Sequence, residues 1–122
     1  MPALIASALL LISTTGYSMG YEILPSDPDI LPNNAGYTYC DGTIYVNHAY
    51  FERKAKVWDA ERMTRQMARL LVHEAGHNKH CGGGELAAMQ DEVIFMIVAG
   101  YPWAEQYEGR VTHTRYQLQE GY

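Results

Sequence analysis

The chain has 122 residues, enough for one domain with a modest core, and carries 14 acidic against 9 basic side chains for a net charge of −5. A hydrophobic share of 48% with 19% charged residues excludes a disordered chain, and no basic patch marks it for nucleic acid.

Residues 3–12, Ala-Leu-Ile-Ala-Ser-Ala-Leu-Leu-Leu-Ile, are nearly all apolar and are followed by the small polar stretch Ser13-Thr14-Thr15-Gly16. This is the pattern of a secretory signal peptide over residues 1–18, leaving 19–122 as a single domain. It lacks a basic start, since Met1-Pro2 carries only the terminal amine. The run is short of the about 20 residues needed to span a bilayer, so no stable membrane span is expected. The same run also reads as a buried N-terminal strand or helix. Cys40 and Cys81 are the two cysteines, and an even count fits export, to the periplasm or the medium, with one disulfide.

Residues 21–42 are punctuated by Pro25, Pro28, Pro32, Asn33-Asn34, Gly36 and Asp41-Gly42, which predicts loop with short extended pieces at most. Thr43–Asn47 is β-branched and aromatic and reads as a strand. Tyr37–Cys40 is placed to pair with it as a hairpin across the Asp41-Gly42 turn.

A helix is expected from Ala60 to about Lys79, with Asp59 as its N-cap and Glu61 in its first turn. Met63, Met67, Leu70, Leu71, His73 and His77 share its inward side, and Arg62, Arg65 and Arg69 read as a solvated stripe. Gly82-Gly83-Gly84 stops it. A second helix is expected from about Glu85 to Ala99, ended by Gly100 and Pro102. So short a turn makes the two helices antiparallel neighbours. The tail from Tyr101 to Tyr122 is polar, and 111–116 reads as a short strand or part of a helix.

Within the first helix, His73-Glu74-Ala75-Gly76-His77 puts two imidazoles one turn apart on the same face, with a carboxylate beside them. That is the H-E-x-x-H spacing: two metal ligands and a base for a metal-activated water. At these residues the chain resembles the zincin metallopeptidases, and the resemblance covers about residues 43–99. It implies zinc held by His73 and His77, Glu74 as general base, and a peptide or protein substrate. It further implies an extended edge strand beside the helix that takes substrate backbone by strand addition, with 43–47 as the candidate.

A third protein ligand is needed. His80 follows on the same face, but a straight helix sets it about 10.5 Å from His73 along the axis. The metzincin pattern fails at two positions, with His80 where its Gly stands and Gly83 where its third His stands. Glu85-Leu86-Ala87-Ala88 resembles the E-x-x-A that carries the third ligand in small gluzincin-like peptidases, although Met89 replaces their usual next residue and the linker is short. Glu85 is therefore the first candidate and Glu92 the second, with Asp91 and His80 behind them. Tyr101, Tyr107, His113 and Tyr116 are the candidates to stabilise an oxyanion. The expected protein is an α+β domain: a short strand or hairpin packed on a long helix that carries the H-E-x-x-H, and an antiparallel helix that carries the third ligand. The expected function is zinc-dependent peptide hydrolysis. The alternatives are an inactive zinc-binding module and a zinc hydrolase acting on a non-protein amide.

Overall fold

The computed structural model describes residues 1–27, 34–82 and 84–119, with side chains described as far as residue 115. Pro28, Pro32, Asn33 and Gly83 lie outside the described residues, as does the side chain of Tyr116. The architecture is α+β and mostly helical: α1 (Pro2–Ser13), β1 (Glu22–Pro25), β2 (Gly36–Tyr37), β3 (Thr43–Val46), α2 (His48–Lys54), α3 (Ala60–Lys79), α4 (Gly84–Val98) and α5 (Trp103–Gln119).

Helix α3 is the axis of the molecule. The Asp59 carboxylate accepts from the Arg62 amide at 2.7 Å, satisfying one of the orphan donors at the helix start. Met67, Ala68, Leu71, Val72 and Ala75 of α3 are buried, and Met63 and Leu70 pack partly buried beside them. The apolar run near the N-terminus forms α1, which lies against α3 with Ala8 and Ile12 fully inside. The segment with signal-peptide composition is thus also part of the hydrophobic core. No described helix is long and apolar enough to cross a membrane.

The strand expected over 43–47 forms as β3 and ends at Val46, because Asn47 leaves the strand to cap α2, its side chain accepting from the Tyr50 amide. Ile44 and Val46 point into the core and Thr43 and Tyr45 out of it. The hairpin forms one step earlier than expected, with Gly36 opposite Val46 and Tyr37 opposite Tyr45. A Cβ on Gly36 would lie 2.6 Å from the Tyr45 carbonyl oxygen, so this contact requires glycine.

One expectation is overturned here. β3 is the central strand, in the order β1-β3-β2, with β1 parallel to it and β2 antiparallel. Both of its sides are occupied, so 43–47 cannot add a substrate strand. The edge next to α3 is β2.

After α3, Gly82 and Gly84 adopt left-handed φ of +86° and +75°, and the chain reverses. α4 runs back along α3: His77 meets Glu85, and Arg69 meets Glu92. Where the two helices cross, a Cβ on Gly76 would stand 2.9 Å from the Ala88 Cα. The tail resolves into α5, packed on α4.

Arg65 and Arg69 of the arginine stripe are not on a wet face, whereas the Arg62 side chain is 42% exposed. Arg65 pairs with Glu105 at 3.0 Å, and Arg69 pairs with Glu92 at 3.0 Å and with Glu108 at 3.8 Å. The Arg69 side chain is only 12% exposed. Acidic residues of α4 and α5 cover this face and neutralise it.

Candidate metal centre

The i, i+4 spacing on α3 brings the rings of His73 and His77 to a centroid distance of 4.9 Å. The reversal at the glycines puts Glu85, in the first turn of α4, opposite them. Its carboxylate lies 2.7 Å from His77 Nε2 and 3.1 Å from His73 Nε2. One ligand atom from each of the three residues lies within 4.8 Å of the other two. Two imidazole nitrogens and a carboxylate oxygen so close together form a group that can hold one metal ion. The two histidines hold the Glu85 carboxyl well below the usual carboxylate range, because each hydrogen-bonds to its charged form. A carboxylate that stays ionised suits a cation ligand.

Glu92, the second candidate, does something else. It is buried, and its Oε1 lies 3.0 Å from Arg69 Nε and 3.6 Å from His73 Nδ1. His73 Nδ1 and Glu92 Oε2 are both buried without a hydrogen-bond partner. Glu92 therefore backs the ring nitrogen of His73 that faces away from Glu85. Burial opposes the charged form of His73, but the Glu85 hydrogen bond and the charges of Glu92, Glu74 and Glu85 outweigh it and raise its pKa.

The remaining two candidates for the third ligand pair with each other. His80 Nε2 lies 3.4 Å from Asp91 Oδ2, which also accepts from the Tyr17 hydroxyl at 3.4 Å. Neither belongs to the His73–His77–Glu85 group. α3 continues past His77 to Lys79, so His80 is carried about two turns beyond His73, as the helix rise requires.

Glu74 is 6% exposed and lines a cleft of about 370 Å³ together with His73, Glu85 and Glu92. Burial raises its pKa, against the lowering effect of His73 and His77. A carboxylate moved up toward neutrality is better matched to receiving and returning a proton.

Tyr101, Tyr107 and His113, three of the four expected oxyanion stabilisers, are not where the chemistry needs them. The Tyr101 ring is buried against Phe95, and its hydroxyl donates to the Arg65 carbonyl, so it anchors the start of α5. Tyr107 is exposed on a separate surface with Trp103, and His113 is not among the cleft residues. The cleft instead takes Tyr50 from α2, half-buried, with Asn34 and Ala35 ahead of β2 and Thr112 of α5. Sequence reasoning missed Tyr50 because α2 is a helix of 7 residues without a readable apolar stripe. The Asn47 cap three residues before Tyr50 was the available signal.

Cys40 and Cys81 form a disulfide with Cα atoms 6.0 Å apart. It ties the β2–β3 turn to the end of α3, four residues ahead of Glu85. No protein-family model, no curated protein and no solved structure matches the chain.

Proposed function

We propose that the protein is a zinc-dependent metallopeptidase of the zincin type, with His73, His77 and Glu85 as its zinc ligands and Glu74 as general base. The observation that carries this reading is the convergence of both Nε2 atoms on the Glu85 carboxylate, with a buried Glu74 beside them in one cleft. The donor set fits zinc: two imidazoles and one carboxylate leave a fourth position open, which is the composition of catalytic rather than structural sites. Bound zinc supplies Lewis acidity, making water a nucleophile near neutral pH and polarising a carbonyl. Glu74 takes the proton of the attacking water and returns it to the departing amine. Glu92, itself held by Arg69, backs His73 from behind. Tyr50 stands in the cleft wall as a hydroxyl donor for developing negative charge. β2 is an edge strand, and Asn34 and Ala35 just ahead of it line the cleft, so its outer edge is the place for an extended substrate to add. The disulfide suits an oxidising compartment, in keeping with a secreted or periplasmic protein.

The test is elemental analysis combined with hydrolysis of an unfolded protein substrate. One zinc per chain is expected, lost in His73→Ala, His77→Ala and Glu85→Ala. Glu74→Gln is expected to keep the zinc and lose at least about 10²-fold in rate, the low end of general-base contributions. Absence of zinc in the unaltered protein after zinc is supplied rejects the metal site. Zinc binding without any hydrolysis leaves a binding module in place of an enzyme.

A further inference from the structure

Beyond the metal group the same cleft runs along α3 to a second cluster of side chains. Lys54, in the last turn of α2, holds its ammonium 5.5 Å from the Tyr50 ring centroid and 5.3 Å from that of Trp58. All three line the cleft. The other cation in the cleft wall, Arg69, is paired with Glu92 and Glu108. Lys54 has no carboxylate within ion-pair distance among the described residues. Two ring faces attract its charge but do not neutralise it. Gln66 also lines the cleft wall, with its side-chain nitrogen buried and without a hydrogen-bond partner. One ammonium without a carboxylate partner among the described residues therefore stands over two aromatic rings in the cleft wall.

We infer that this end of the cleft is a substrate subsite that selects a carboxylate-bearing residue, Asp or Glu, on the peptide being cut. The inference rests on the peptidase reading of the cleft and adds a specificity to it. Its position follows from helix geometry. Gln66 and Arg62, the latter with its guanidinium 5.2 Å from the Trp58 ring, stand 7 and 11 residues before His73. At 1.5 Å per residue this is about 10 to 16 Å along α3. An extended peptide at about 3.3 Å per residue reaches that far in three to five residues. The acidic side chain is therefore separated from the scissile bond by roughly that number. Glu108 also lines the cleft, but its charge faces Arg69, leaving Lys54 as the group that reads the ligand.

The experiment separates this subsite from the catalytic reading by measuring binding apart from turnover. Trp58 and Trp103 are the two tryptophans of the chain. In zinc-loaded Trp103→Phe, Glu74→Gln protein, Trp58 fluorescence alone reports on the cleft and peptides are not consumed. The probes are alanine-based octapeptides carrying a single Glu, or a single Gln, at each position in turn. At its best position the Glu peptide is expected to bind at least about tenfold tighter than its Gln partner. Lys54→Met is expected to bring the two within about twofold, and Lys54→Glu to turn the preference toward a Lys-bearing peptide. Equal affinity for the Glu and Gln series, or a preference that survives Lys54→Met, overturns the inference. With the unaltered protein, cleavage profiling is expected to enrich acidic residues three to five positions from the cut. If the binding preference holds and nothing is cut, the subsite stands and the peptidase reading falls.

Discussion

At the scale of single residues, one carboxylate separates the proposed ligand from its support. Glu85 and Glu92 share a face of α4 at a spacing of seven, so periodicity alone could not rank them. The structure divides their work. Glu85 touches both Nε2 atoms, whereas Glu92 reaches only His73 Nδ1 and is held by Arg69. A metal-bound imidazole gains basicity and a fixed ring orientation when a carboxylate accepts from its other nitrogen. Glu92→Gln is therefore expected to weaken zinc binding by about 10- to 100-fold, the usual cost of losing such a partner, without abolishing it. Glu85→Ala should leave no tight site. Competition with a zinc-sensing dye distinguishes the two. The sequence showed His73, Glu74 and His77 outright, because a single helix fixes their relations through its own period. Glu85 became legible from the three glycines, which leave α4 no direction but back. Tyr50 and Lys54 did not, because their place depends on how α2 packs.

At the scale of elements, the close crossing of α3 and α4 decides whether the ligands meet at all. Gly76 faces Ala88 with no room for a side chain. Adding one in mid-helix removes the glycine entropy cost, worth up to about 1 kcal/mol, but overpacking costs about 1–3 kcal/mol. For alanine the two effects nearly offset each other. Valine is larger and is a poorer helix former, so the clash wins. Gly76→Val is expected to lower unfolding free energy by about 2 kcal/mol in urea denaturation. It should also loosen zinc, since α4 carries Glu85 away from the histidines. The same packing explains what the chain hid. An arginine-bearing helix face normally points to water, and only partners about 23 to 40 residues onward, Glu92, Glu105 and Glu108, turn this one inward. α5 was unreadable for a related reason. Its anchor is a carboxylate, Glu105, buried in an ion pair with Arg65 rather than an apolar stripe. The central position of β3 depends on β1 pairing with it from 21 residues earlier in the chain, Glu22 opposite Thr43, which no local pattern announces.

At the scale of the whole molecule, the small sheet and the helices share one core, in which Ile44 and Val46 of β3 join the buried side chains of α3. The disulfide is their covalent tie. Its cysteines are 41 residues apart, and in the chain-entropy model a loop of that length is worth about 4 kcal/mol against unfolding. Cys40→Ser with Cys81→Ser is expected to lose an amount of that order, read from denaturant midpoints of the metal-free protein. The pairing was legible because the chain has two cysteines and a reading as an exported protein. Its location was legible as well, from the segment before a strand to the end of the His-bearing helix; the backbone conformation it needs was not. Cys40 sits in a left-handed conformation at φ +62°, which a non-glycine residue rarely adopts.

That location has a consequence for the metal. Glu85 is tied to Cys81 by a tether of three glycines. With the bridge closed, the tether starts from a fixed point, and the carboxylate is offered to His73 and His77 at a high effective concentration. With the bridge open, the end of α3 can fray and the same carboxylate samples a larger volume. Thiol oxidation and metal capture are then thermodynamically linked, and each must favour the other by the same factor. Zinc affinity is expected to fall by about tenfold on reduction, within the usual span of couplings between distinct sites. Zinc should in turn protect the bridge from reductant by a matching amount. Titrating zinc into the oxidised protein and into the double serine variant measures one side of that linkage, and the reduction midpoint with and without zinc measures the other.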